Sequence, residues 1–338
     1  MTHLPMIAHP ARPTRRWPLA LLTLPTLLTL LALGPTAATR AATPAGTAAA
    51  PHQAPVVTRL DHAPVLAAVR VGPRIVAVGD HGLVMLADDG RPLRQAARVP
   101  TRTVLTSLCF IDARQGWAAG HDGTVLGTTD GGETWTVLRE EPGKERALLS
   151  VWFENARHGL AVGQFGLVLE TQDGGASWQE RRLVDSAEQA EKHLMQLFAG
   201  PGRALYIAAE NGTVFRSSDA GGHWQAVQTD NKGSFWTGLA LADGSLLVAG
   251  LRGHLYRSED SGAHWHAVAS GTQQSITAVQ QLADGSVTAV GLSGAVLHSQ
   301  DQGRSWQPQQ RADRANITAL VDTAKGVRLF SLAGGLAN

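Results

Sequence analysis

Five aspartates stand at the same place in five copies of an eight-residue segment, where a repeated carboxylate could serve catalysis or close a turn. The copies are TTDGGETW, TQDGGASW, SSDAGGHW, SEDSGAHW and SQDQGRSW, beginning at Thr128, Thr171, Ser217, Ser258 and Ser299. An Asp two residues after a Ser or Thr can accept hydrogen bonds from turn N–H groups and share the hydroxyl. The fifth-position glycine permits a positive φ, and the tryptophan offers a large apolar face.

We therefore predict that each copy, termed a corner, joins two strands and seals neighbouring sheets. The residues with this structural role are Asp130 and Trp135, Asp173 and Trp178, Asp219 and Trp224, Asp260 and Trp265, and Asp301 and Trp306.

Other chemically capable residues form no recognisable site. The thirteen histidines show no spacing typical of metal ligands, and the single Cys109 lies in an apolar stretch. No nucleotide-binding glycine pattern is present. Glu140 and Glu141 fall in a polar loop, whereas glycoside hydrolysis needs carboxylates across a cleft. The sequence predicts no metal, no cofactor and no enzymatic activity.

The segments that position the corners repeat with the period of β-propeller blades. A marker glycine precedes each corner, and consecutive ones are 41 to 46 residues apart. Each unit reads as four short strands. The marker glycines are Gly82, Gly123, Gly166, Gly212, Gly253 and Gly294.

The number of units predicts how the ring closes. Residues Ile317–Gly335 repeat the first two strands once more, and Ala54–Leu60 is a spare strand. We predict an all-β, seven-bladed β-propeller of four-stranded blades, closed by strands from both termini. A six-bladed ring with a frayed tail is the alternative. Because Leu86–Leu93 lacks the tryptophan, the first blade should be the least well sealed.

The first 41 residues resemble an export signal. Arg12, Arg15 and Arg16 precede the apolar run Trp17–Gly34, and small residues follow. An uncleaved membrane anchor is the alternative, since eighteen residues approach spanning length. Residues 42–53 would be a flexible linker to a propeller at 54–338. We expect an exported, periplasmic protein, or an anchored one if the signal is retained.

The charge balance argues against nucleic-acid binding. The formal net charge is +1, but the first 41 residues contain four arginines and no acid. Acidic residues outnumber basic ones in the remainder, which lacks the excess positive charge that neutralises phosphates. We expect a monomer with no nucleic-acid partner.

The corners and the residues before them resemble a known family. The pattern S/T-x-D-x-G-x-x-W is the Asp-box, or bacterial neuraminidase repeat. Units such as Gly116–Trp135 and Gly159–Trp178 are similar to repeats of the photosystem II stability/assembly factor family, within the WD40/YVTN-like propellers. The resemblance implies a non-enzymatic exported scaffold that binds a membrane protein to aid the assembly or stability of a complex, also in bacteria without photosystems.

Sialidases share the Asp-box, so a carbohydrate-active enzyme or lectin is the alternative function. Sialidases use an arginine triad, a tyrosine nucleophile and an Arg-Ile-Pro segment, and the last is absent here. Tyr206 and Tyr256, the two tyrosines, fall in a second and a third strand. Neither position suits a nucleophile.

Departures from the repeat point to a partner-binding face at the mouth of the channel. In a propeller, the loops between strands two and three and those between blades share one face. Two segments on this face also depart from the repeat. They are the insertion 181–196, with a helix-like run near Ser186–Leu194, and the stretch Thr229–Gly238. Aromatic and cationic side chains dominate interface energetics. We predict Phe165, Lys232, Trp236 and Arg252 as anchors and His81 and His121 as polar contacts, although Trp236 could belong to a strand.

Overall fold

Seven antiparallel sheets follow one another along the chain. The computed structural model describes residues 53–88 and 91–336. The predicted export signal, residues 1–41, and residues 42–52 of the predicted linker lie outside the described residues. Among the described residues, no helix is long and apolar enough to cross a membrane.

Each sheet is formed by strands that are consecutive in sequence. Blade one contains β1 (Val65–Val71), β2 (Arg74–Gly79), β3 (Val84–Asp88) and β4 (Arg94–Gln95). Blade two contains β5 (Leu105–Phe110), β6 (Gly116–Gly120), β7 (Val125–Thr128) and β8 (Thr136–Arg139). Blade three contains β9 (Leu148–Phe153), β10 (Gly159–Gly163), β11 (Val168–Thr171) and β12 (Gln179–Glu180). Blade four contains β13 (Leu194–Ala199), β14 (Leu205–Ala209), β15 (Thr213–Ser217) and β16 (Gln225–Gln228).

The remaining blades continue the pattern. Blade five contains β17 (Phe235–Ala240), β18 (Leu246–Gly250), β19 (Leu255–Ser258) and β20 (His266–Val268). Blade six contains β21 (Ile276–Gln281), β22 (Val287–Gly291), β23 (Ala295–Ser299) and β24 (Gln307–Gln310). Blade seven contains β25 (Ile317–Thr323), β26 (Gly326–Ser331) and β27 (Gly334–Leu336). One α-helical turn, α1 (Ala187–Ala190), lies between blades three and four, and short 3-10 turns cover Leu60–His62, Asp80–Gly82, Gln164–Gly166, Leu251–Gly253 and Leu292–Gly294.

The predicted seven-bladed propeller is confirmed. The first strand of each blade lines a central channel of about 420 Å³. Threonine hydroxyls join neighbouring inner strands: Thr106 Oγ1 donates to the Leu148 carbonyl at 2.7 Å. The ring closes in the same way, because Thr318 Oγ1 on β25 donates to the Val65 carbonyl on β1 at 2.7 Å.

The last blade differs from the predicted closure in its outer part. Its sheet holds three strands, all from the C-terminal repeat, and Ala54–Leu60 forms no strand among the described residues. That segment instead follows the outer edge of blade one, where Val57 N–H donates to the Gln95 side chain at 3.0 Å. Pro55 has no N–H to donate to a ladder, so the segment does not pair as a strand.

The corners are closed by hydrogen bonds within eight residues, as blade three illustrates. Gly175 N–H donates to Thr171 Oγ1 at 2.9 Å, and that hydroxyl donates to Asp173 Oδ1 at 2.8 Å. Ser177 donates its N–H and its hydroxyl to the two oxygens of Asp173 at 2.8 and 2.6 Å. These bonds hold the pKa of Asp173 at about 2. The same arrangement recurs at Asp130, Asp219, Asp260 and Asp301.

Each corner also joins its blade to the preceding one. Gly221, the fifth residue of the corner in blade four, packs against Leu160 of blade three. Trp135 is fully buried in a cluster with Val76 and Leu86 of blade one. Carbonyls at the fourth corner position accept a side-chain donor from the preceding blade. These pairs are Arg74 with Gly131, Trp117 with Gly174, Tyr206 with Ser261, and Arg257 with Gln302.

The seam between blades seven and one has no corner tryptophan, because Leu86–Leu93 lacks one. An open cavity of about 580 Å³ lies there, between Ile75 of blade one and Arg328 of blade seven. This agrees with the expectation of a poorly sealed first blade.

Candidate functional site

In each blade, the third strand runs from the loop after strand two to the corner. The loops between strands two and three therefore lie at the end of the blade opposite the corners. We call this end the rim. In five of the six blades that have a marker glycine, this glycine fixes the loop to the segment that leads into the next blade; Gly82 N–H, for example, donates to the Thr103 carbonyl at 2.8 Å. Gly82 has φ +72°, and a Cβ there would lie 2.1 Å from the Thr101 carbonyl oxygen. Only glycine fits this approach.

The residue before each marker glycine, termed the tip residue, adopts the left-handed conformation. The tip residues are His81, Asp122, Phe165, Asn211, Arg252 and Ser293, with φ between 52° and 57°. Asp and Asn adopt this conformation readily, whereas Phe and Arg do so at a cost of about 1–2 kcal/mol. Strained residues of this kind cluster at functional sites, so Phe165 and Arg252 stand out.

Phe165 is a large apolar side chain exposed at the rim, as is Leu332 in the loop between β26 and β27 of blade seven. Phe165 is 69% exposed, and its ring makes an edge-to-face contact with His193 at 4.6 Å between centroids. The insertion between blades three and four contains α1 and packs beside this tip. The predicted helical run is shorter than expected, because β13 begins at Leu194. The insertion thus supports one side of Phe165 and leaves the other open.

Lys192, at the end of the insertion, is a rim residue that the sequence reasoning missed. Only 7% of it is exposed, and its Nζ donates to Thr213 Oγ1 at 2.9 Å. Among the described residues it forms no ion pair. An alignment of the units would have identified Lys192, because it occupies the position of Arg146 in the preceding unit. The Lys192 carbonyl accepts the N–H of Gly166, and the Arg146 carbonyl accepts the N–H of Gly123.

Lys232 and Arg252 lie on neighbouring segments of the rim, and both are exposed. Leu251 N–H donates to the Ser234 carbonyl at 3.0 Å, which holds the two segments together. Asn231 is buried beneath Lys232, and its Oδ1 contacts His254 Nδ1 at 2.5 Å. The backbone that carries both cations is therefore fixed.

The other predicted contacts occupy separate places. His81 and His121 are exposed on the rim at blades one and two, and His81 Nδ1 lies 3.0 Å from Asp80 Oδ2. Trp236 lies in β17 and lines the channel wall. The structure thus brings Lys232 and Arg252 together, with Phe165 on the same face and Trp236 inside the mouth.

The tyrosine hydroxyls and the thiol are used within the fold. Tyr206 OH donates to the Ser261 carbonyl at 3.1 Å, and burial, with Asp230 nearby, raises the pKa of Tyr256 to about 12. Burial raises the pKa of Cys109 to about 11. Within residues 53–88 and 91–336, no group of three His, Cys, Asp or Glu side chains is arranged to hold a metal ion.

Solved propellers share this architecture at low sequence identity. A structure described as "YCF48 bound to D1 peptide" is 20% identical, with a TM-score of 0.64, over 81% of this chain and 92% of that one. YCF48 from Cyanidioschyzon merolae is 16% identical, with a TM-score of 0.64, over 84% and 96%. The WD40 propeller domain of Doa1 is 12% identical, with a TM-score of 0.63, over 83% and 93%.

The family assignment comes from the sequence itself. No curated protein matches the chain. Residues 141–335, more than half of the sequence, match the family model described as Photosynthesis system II assembly factor YCF48. The match includes the corners of blades three to six and the tips Phe165 and Arg252. The protein is therefore a member of the photosystem II assembly factor YCF48 family.

Proposed function

We propose that this protein is a non-enzymatic assembly or stability factor that binds an integral membrane protein through its rim. The observation that carries the proposal is membership of an assembly-factor family whose model covers most of blades three to seven. A propeller of the same fold has been solved with a peptide of D1, which supports a protein ligand for this scaffold.

The rim supplies the features that a protein contact needs. Phe165 presents an apolar ring to solvent, and Lys232 and Arg252 add positive charge on a fixed backbone. Buried aromatic and arginine side chains contribute most to interface affinity. The left-handed backbone of Phe165 and Arg252 is energetically unfavourable, and such strain is typical of residues whose side chains bind a partner. His81 and His121 would add polar contacts at the edge of the same interface.

A pull-down from detergent-solubilised membranes of the native host tests the rim. The wild-type protein should recover an integral membrane protein. The Phe165→Ala/Arg252→Ala variant should recover at least tenfold less of that protein. The matched control is Thr129→Ala/Gln300→Ala, which changes two exposed corner residues at the opposite face. Equal recovery by the rim variant and the control would reject the rim as the binding face.

A fluorogenic sialoside assay separates this proposal from a carbohydrate-active function. We expect no turnover by the purified protein. If the wild-type protein hydrolyses the sialoside and Tyr256→Phe abolishes this activity, the protein is an enzyme and the scaffold proposal is wrong.

We further propose that residues 1–41 direct export and that residues 42–53 link the signal to the propeller. Cell fractionation and the intact mass of the isolated protein test this. A periplasmic protein lacking about 41 residues is expected, and retention of those residues in the membrane fraction would favour the anchor. Recovery in the cytosol at full mass would contradict export.

A further inference from the structure

The cavity at the seam between blades seven and one has the size and lining of a ligand site. Its volume of about 580 Å³ lies within the range of small-molecule pockets. Ile75, Ala87 and Leu336 form an apolar part, while Arg91, Lys325 and Arg328 contribute positive charge. The cavity opens near the corner end of the blades, so it is separate from the rim.

Among the described residues that line the cavity, three are cationic and one, Asp88, is acidic. Asp88 is the carboxylate in its wall, and Arg74 Nε binds it at 2.7 Å. Arg94 approaches the other oxygen of Asp88 at 3.5 Å. The hydrogen bond from Arg74 holds the pKa of Asp88 below its ordinary value. Asp88 is therefore already neutralised by two arginines outside the cavity, and among the described residues the cations in its wall form no ion pair with another carboxylate there.

Arg328 is the most unusual of these cations. It is half-buried, and its Cζ lies 5.4 Å from the centroid of the Phe330 ring, which fixes the guanidinium. Among the described residues it forms no hydrogen bond and no ion pair, although a guanidinium carries five donors. Comparable arginines at other seams are paired: Arg257 binds Asp243 at 3.0 Å, and Arg74 binds Asp88. Burial without an acceptor lowers the pKa of Arg328.

We propose that this cavity binds a small monocarboxylate with an apolar body. The planar fork of Arg328 matches the two oxygens of one carboxylate, and Arg91 and Lys325 attract the anion to the opening. The apolar body packs against Ile75, Ala87 and Leu336 in the space that a corner tryptophan fills at other seams. This site is independent of the function proposed for the rim.

Calorimetric titration of the purified protein with sodium octanoate tests the proposal. Octanoate should bind at one saturable site. Acetate and octylamine should bind at least tenfold more weakly, because acetate lacks the apolar body and octylamine lacks the carboxylate. Arg328→Gln should weaken octanoate binding by about tenfold to a hundredfold, the loss expected for hydrogen bonds to a charged group. Arg216→Gln, which changes an arginine of blade four outside the cavity, should bind as the wild type does.

The proposal would be overturned by no saturable octanoate binding, by unchanged affinity in Arg328→Gln, or by equal affinity for octylamine. Because Arg328 has no hydrogen-bond or ion-pair partner among the described residues, Arg328→Gln should unfold at the wild-type temperature. Arg328→Lys is the second variant, which keeps the charge but loses the fork. It should bind octanoate about tenfold more weakly than the wild type, and wild-type affinity would also reject the site.

Discussion

Replacing Gly221 with alanine probes the contact between a corner and the preceding blade. Gly221 has φ +92°, and a Cβ on it would lie 2.6 Å from Leu160 Cδ1 and 3.4 Å from the Trp224 ring. The left-handed backbone costs an alanine about 1–2 kcal/mol. Forcing a methyl group into the packed seam adds about 1–3 kcal/mol. Gly221→Ala should therefore lower the free energy of unfolding by about 2–5 kcal/mol.

Gly202→Ala is the matched control for this prediction. Gly202 lies in the same blade with φ +66°, and a Cβ there would meet nothing within 4 Å. Both substitutions lower the conformational entropy of the unfolded chain by the same amount. The difference between their free energies of unfolding therefore measures the cost of the contact between the blades. Urea unfolding followed by tryptophan fluorescence gives both values. If the two variants lose equal stability, the corner does not pack blades together as described.

Three further predictions concern the same fold. Hydroxyl and N–H donors from Ser177 and Ser305 hold the pKa values of Asp173 and Asp301 at about 2, below the unfolded value. Stability should thus be complete above about pH 5 and fall between about pH 4 and 2, and a urea midpoint that stays constant to pH 2.5 would contradict this. Trp135 Nε1 donates to the Gly132 carbonyl at 3.0 Å, whereas the buried Nε1 atom of Trp178 has no hydrogen-bond partner in the described part of the chain. Trp135→Phe should therefore destabilise by about 1 kcal/mol more than Trp178→Phe in thermal unfolding, and the reverse order would count against the assignment. With the pKa of its half-buried thiol raised to about 11, Cys109 should react with a thiol reagent at pH 7.5 far more slowly in the native protein than in urea, and equal rates would contradict this.

The corners were predictable because their hydrogen bonds are local. All of the bonds around Asp173 join residues at most four positions apart, so one segment carries the whole pattern. The blade count followed from the spacing of the marker glycines. What the sequence did not reveal is the seventh-position side chain, such as Ser177 or His223, as a second donor to the aspartate.

The sequence predicted that the corners seal neighbouring sheets but not which residues meet across a seam, because the partners lie far apart in the chain. The Arg74 and Gly131 pair is separated by 57 residues, and nothing near Arg74 marks its partner. The same holds for the rim: Phe165 could be found as an apolar tip, but the contact with His193 depends on how the insertion folds. Ala54–Leu60 looked like a strand of the last blade, yet Pro55 offers no N–H to a ladder and the three strands of blade seven all come from the C-terminal repeat.

Site-specific photocrosslinking in the native host tests most directly whether the rim, and not the corners, binds the partner. A photoreactive phenylalanine analogue replaces Phe165 at the rim in one variant and Gln300, an exposed corner residue, in the other. We predict that the analogue at position 165 crosslinks to one integral membrane protein and that the analogue at position 300 does not. Crosslinking of the same protein from position 300 alone would contradict the account.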